Sequence, residues 1–162
     1  MHARVRFLGH SVHQMLVVFP LGLLATAVVF DIIYLAGHSQ VMAAVSYWLI
    51  AAGLVGGVLA VPFGTLDWLA IPSGTRAKRI GAMHGGGNVL VLLLFVASFL
   101  LRDRDYAPQL GQMAWSFAGA ALAMVTAWLG GELVDRLGIG VDEDAGMNAS
   151  SSLHKRHVIA GK

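Results

Sequence analysis

The sequence predicts an all-α protein built as an integral-membrane four-helix bundle. Three observations lead there: 57% of the residues are hydrophobic against 12% charged, four long stretches are nearly free of charge, and the basic residues crowd to one side of those stretches. A water-soluble domain carries about 25% charged residues. The apolar content excludes a disordered chain, and the absence of cysteine excludes a disulfide scaffold or a thiolate metal site. At 162 residues the chain holds one domain with room for four spans.

The spans fall at about residues 13–36, 41–68, 80–101 and 113–136. Each is long enough to cross a hydrocarbon core of about 30 Å at 1.5 Å per residue. No water in that core can satisfy open backbone groups, and the two-residue alternation of barrel strands is missing, so each span is expected to be a helix. The first is too long for a signal-peptide core and lacks a small-x-small cleavage site, which makes it a retained helix. Pro20 and Pro62 fall inside the first two helices and should bend them. Gly53-Leu54-Val55-Gly56-Gly57 has the spacing that lets helix backbones approach, within one chain or, as the alternative, at a homodimer seam. The domain then runs over residues 9–141, and the Ser-, Gly- and charge-rich stretch 142–162 is expected to be a flexible tail.

Orientation follows from the basic residues. Arg4, Arg6, Arg76, Lys78, Arg79, Arg136, Lys155, Arg156 and Lys162 lie on one side, while the far loop holds only Arg102 and Arg104, offset by Asp103 and Asp105. The positive-inside rule therefore places both termini in the cytoplasm and makes the chain a multi-pass membrane protein. The sequence pI of 9.3 thus reports topology in the lipid bilayer, not nucleic-acid binding.

Ionisable residues at the edge of a span are costly and call for a reason. His10 and His13 enter the first helix, Asp67 leaves the second, His84 and Asn88 enter the third, and Glu132 leaves the fourth. Since the helices alternate in direction, all of these are expected at the cytoplasmic level. His84 is followed by Gly85, Gly86 and Gly87, read as a flat clearing beside an imidazole or as a close helix contact. Asp31 lies five turns beyond His13, about 27 Å away on the same helix face. It is expected to cap the bundle through the start of the second helix or through Ser39 and Gln40.

A b-type haem needs imidazoles from facing helices, clearance for the macrocycle, apolar walls and basic groups near its propionates. His13 and His84 are the expected ligands of the haem iron. Gly85, Gly86 and Gly87 would supply the clearance, Arg79 a propionate partner, and His10 and Asn88 orienting hydrogen bonds. Electron transfer follows as the expected function, in a subunit or partner of a larger membrane redox complex. Two alternatives stand beside it. A non-haem zinc, copper or iron ion would use His10, His13 and His84 with Glu132 or Asp67. A purely structural accessory subunit would use none of them as ligands. No nucleophile is paired with a base and no phosphate-cradling loop precedes a helix, so catalysis is not expected.

The string Gly9-His10-Ser11-Val12-His13-Gln14-Met15-Leu16-Val17-Val18-Phe19-Pro20-Leu21-Gly22-Leu23, followed by Asp31, resembles the signature of a bacterial membrane-protein family known as domain of unknown function 2231. Gly64-x-x-Asp67-Trp68, His84-x-x-x-Asn88, and Gly130-Gly131-Glu132-Leu133-Val134 followed by Gly138-Ile139-Gly140-Val141 look like its later motifs. The resemblance covers residues 9–141. Ser11 and Gln14 stand where prolines are common in the family, and Val18 where a further histidine often stands. Such domains occur beside Rieske or cytochrome c modules in some bacteria, so the resemblance implies a redox or haem context.

Overall fold

The computed structural model describes residues 1–102 and 107–153. The expected roles of Asp103, Arg104 and Asp105 in the far loop, and of Lys155, Arg156 and Lys162 in the tail, lie outside the described residues.

A short hairpin opens the chain, with β1 (Arg6–Phe7) antiparallel to β2 (His10–Ser11). Its two turn residues, Leu8 at φ 50° and Gly9 at φ 88°, take the left-handed conformation that such a tight connection demands. The Ser11 hydroxyl then accepts from the Gln14 N–H at 3.4 Å and starts α1 (Val12–Leu16). At Val17 the helix breaks before resuming as α2 (Val18–Gly37). Pro20 is the cause: it has no N–H for the Leu16 carbonyl four residues back, and its ring crowds that oxygen. Pro62, by contrast, sits inside α3 (Gln40–Ala70) without ending it.

The connections are tight. Only His38, left-handed at φ 49°, and Ser39 separate α2 from α3. Thr75 opens α4 (Arg76–Leu101) by accepting the Lys78 N–H at 3.1 Å. Gln109 and Gln112 cap the start of α5 (Leu110–Gly131) reciprocally. The last turn of α5 widens into a π-helical turn, Glu132–Arg136.

Four helical stretches are long and apolar enough to cross a membrane: Val12–Gly37, Gln40–Ala70, Arg76–Leu101 and Leu110–Arg136. They pack as an up-and-down bundle in the cyclic order α2, α3, α4, α5, which sets α2 diagonally across from α4. Leu24, Ala27, Ile50, Val91 and Phe95 form the buried centre. The outward faces carry large apolar side chains such as Phe19, Val58, Leu93 and Met124, the surface a lipid phase solvates.

One end of the bundle is closed by the chain's own start. The Met1 amine donates to the Gly138 carbonyl at 3.1 Å, the Gly140 N–H donates to the Met1 carbonyl at 2.9 Å, and Arg6 pairs with Asp142 at 2.7 Å. We call this the terminal end.

The opposite end holds a buried cluster of polar side chains. Asp31 and Arg102 are 0% and 7% exposed, joined through Oδ2 and Nη2 at 2.6 Å and Oδ1 and Nη1 at 2.8 Å. Ser46 donates to Oδ1 at 2.5 Å and Ser116 to Oδ2 at 2.9 Å, while Ser98 Oγ accepts from the guanidinium at 3.2 Å. Asp31 therefore does not cap the start of α3, nor does it bond Ser39 or Gln40. Helix spacing carries it inward, and Arg102 is drawn in from the far loop because an unpaired carboxylate there would be costly.

Candidate functional site

At the terminal end each half of the bundle seats one imidazole in the same way. His13, in the first turn of α1, lies against α3 with Nδ1 3.2 Å from the Ala60 carbonyl. Gly64, one turn further along α3, makes the room: a Cβ there would stand 2.7 Å from His13 Cε1. His84, in the third turn of α4, lies against α5 with Nδ1 2.8 Å from the Thr126 carbonyl. Gly130 is its matching notch, where a Cβ would stand 3.0 Å from His84 Cε1.

A carbonyl can only accept, so Nδ1 of each neutral ring carries the proton and the lone pair is left on Nε2. Asn88 does not occupy that lone pair. Its Nδ2 donates to the His84 carbonyl at 2.9 Å and sits 3.2 Å from Nε2 and 3.4 Å from Nδ1. Two nearly equal separations put the amide over the ring face, not in the ring plane where the lone pair points. Thr126 Oγ1 holds the other end of the amide, 3.0 Å from Asn88 Oδ1.

The other residues singled out in the sequence are spread around this pair. Glu132 accepts from Arg76 at 2.6 Å, and Asp67 Oδ1 accepts the Arg4 N–H at 2.6 Å. His10 is exposed on β2, with Nε2 3.4 Å from Ser152 Oγ. Arg79 is exposed in the first turn of α4. Of the three glycines after His84, Gly85 and Gly86 face outward with nothing near their Cβ positions, whereas Gly87 packs on Thr126, whose Cγ2 would stand 2.5 Å from a Cβ. Among the described residues no three His, Asp or Glu side chains gather as a metal-binding group.

Four positions that touch the imidazoles have no role in the sequence reading: Ala60, Gly64, Thr126 and Gly130. The carbonyls leave no trace in side-chain identity. The glycines do, since Gly64 and Gly130 each fall inside a motif, but nothing local tells which glycine faces which ring. Adding a methyl group at Gly64 or Gly130 should displace the facing imidazole and cost about 1–3 kcal/mol. Gly85→Ala, in open space on a helix, should be neutral or stabilising by up to about 1 kcal/mol. Thermal midpoints in detergent, with histidine ring nitrogen chemical shifts, separate these outcomes.

The DUF2231 profile, described as a predicted membrane protein, matches residues 9–143. The chain belongs to the DUF2231 family. The match runs from the Gly9 turn through every membrane helix to the segment strapped to the N-terminus, so each residue of the imidazole site falls inside the DUF2231 domain. No curated protein and no solved structure matches this DUF2231 chain.

Proposed function

We propose that this DUF2231 protein is a b-type haem protein of the bacterial inner membrane that transfers electrons as a subunit or partner of a larger redox complex, with the terminal end facing the cytoplasm. The observation that carries the reading is the matched anchoring of His13 and His84. Each turns a protonated Nδ1 to a backbone carbonyl and keeps Nε2 unprotonated. Metal-binding histidines are held in this way, because the hydrogen bond fixes the ring and raises the basicity of the other nitrogen.

The donor set fits a haem better than a bare ion. A haem iron takes four nitrogens from its own macrocycle and asks the protein for one or two more. A structural zinc site asks for four protein ligands and a catalytic one for three. Glu132 and Asp67, which would complete such a site, bond Arg76 and the Arg4 N–H. When bound, a haem supplies reversible one-electron exchange. The chain's own contribution is to fix two rings, present their lone pairs and surround them with apolar helix walls. The cytoplasmic placement is supported by the basic residues at the terminal end, Arg4, Arg6, Arg76, Lys78 and Arg79.

An optical spectrum of the membrane-extracted protein tests this. A reducible Soret band with sharp α and β bands is expected, lost in His13→Ala with His84→Ala. A colourless preparation from which acid acetone extracts no haem rejects it. Stoichiometric zinc, copper or iron in that colourless protein, lost in His84→Ala, would point to the metal-ion alternative.

A further inference from the structure

The two imidazole seats are one arrangement used twice, and the correspondence extends through the bundle. His84 stands 71 positions after His13, and the buried residues of α2, Pro20, Leu24, Ala27 and Asp31, fall at the same interval from Val91, Phe95 and Ser98, the buried residues of α4 beyond its first two turns, and from its C-cap Arg102. In the partner helices the interval is 66. Gly64 and Ala60, which seat His13, correspond to Gly130 and Thr126, which seat His84. A Cβ on Gly53 would stand 2.6 Å from Leu24 Cδ2, and one on Gly119 would stand 2.8 Å from Phe95 Cε2. Those two contacts correspond at both ends. Two constant intervals across three separate contacts fix a single alignment of α1–α2–α3 onto α4–α5.

Counterparts that touch each other lie on the symmetry axis relating the two copies, as in an isologous interface. Asp31 and Arg102 are such counterparts, from diagonal helices and in direct contact. They are also the point where the copies differ most, by a full reversal of charge.

We propose that the bundle is two copies of one helical hairpin related by a pseudo-two-fold axis between α2 and α4, and that the Asp31–Arg102 pair on that axis makes each hairpin pair with the other and not with its like. Two first hairpins would bury a carboxylate against a carboxylate, and two second hairpins a guanidinium against a guanidinium. Neither is tolerable in a bundle interior. Pairing one with the other cancels the charge. The surrounding Ser46, Ser98 and Ser116 hydroxyls suit a dividing plane of this kind, because each can donate or accept and so can serve either sign. The inference is independent of any cofactor.

An exchange of the two charges in the full-length chain tests it. Asp31→Arg alone sets two guanidinium groups face to face, and Arg102→Asp alone two carboxylates. Each should abolish the monodisperse species in mild detergent or lower its thermal midpoint by about 10 °C or more. The double variant Asp31→Arg with Arg102→Asp should recover the monodisperse species and most of that loss, because equivalent positions on an axis accept the pair in either order. A double variant as damaged as the single ones overturns the proposal, as do single reversals that leave the midpoint unchanged. Neither result bears on the haem band, which is read in the unaltered protein.

Discussion

Arg102→Met is expected to destabilise the bundle by about 3–5 kcal/mol, a large share of the total stability of an ordinary domain. The substitution keeps much of the side-chain length and deletes the charge together with the donors that reach Asp31 and the serine hydroxyls. What it leaves behind is Asp31, fully buried, with two serine hydroxyls and no cation. Such a carboxylate must either stay charged in a low-dielectric interior or take up a proton, and both cost free energy. The companion variant distinguishes this cause from simple packing loss. Removing both charges, Asp31→Leu with Arg102→Met, should recover most of the stability, since a buried ion pair replaced by apolar groups of similar volume is often neutral. Thermal midpoints in one detergent, read beside size-exclusion profiles, give both numbers. A single variant as stable as the parent would mean that water reaches the pair.

Gly119→Ala should be the next most damaging change, at about 2–3 kcal/mol, and clearly worse than Gly53→Ala at the matching position of the first hairpin. Both glycines let a helix approach its neighbour closely, and at both an added methyl would meet atoms well inside van der Waals distance. The difference is in what has to give way. At Gly53 the obstacle is the branched tip of Leu24, with Cδ2 at 2.6 Å and Cγ at 2.7 Å, which another rotamer relieves in part. At Gly119 it is the edge of the Phe95 ring, with Cε2 at 2.8 Å and Cδ2 at 2.9 Å. Phe95 is 1% exposed in the bundle centre and has no free volume to turn into. Comparing the two alanine variants by thermal midpoint checks the ranking, and equal losses would contradict it.

The fold class was legible because it depends on quantities that composition carries directly: the lengths of apolar runs and the scarcity of charge. The position of His13 at a helix start was legible for the same reason, whereas α4 begins four residues before the apolar run and leaves His84 in its third turn. What the sequence hid was pairing across the bundle. Arg102 looked like a loop charge balanced by its acidic neighbours. Only the diagonal placement of α2 and α4 shows that Asp31 claims it. The clearing after His84 was hidden by rotation about a helix axis. Gly85 and Gly86 differ from Gly87 by about 100° per residue, which separates the outer wall from a helix contact. The double use of one hairpin is hidden in the sequence because its interval changes from 71 to 66 between the helices, and because the markers change identity: aspartate to arginine, leucine to phenylalanine, alanine to threonine.

The widened turn at Glu132–Arg136 has a consequence for the closing strap. A π-turn takes up one residue more than an α-helical turn of the same length, so the residues beyond it present faces shifted by about 100° from those an unbroken α-helix would give them. That surplus residue aims Gly138 and Gly140 at Met1 and brings Asp142 to Arg6. Because the surplus residue adds no length to the helix, removing Val134 should let the coil close as an ordinary turn and keep the strap within reach of Met1 and Arg6.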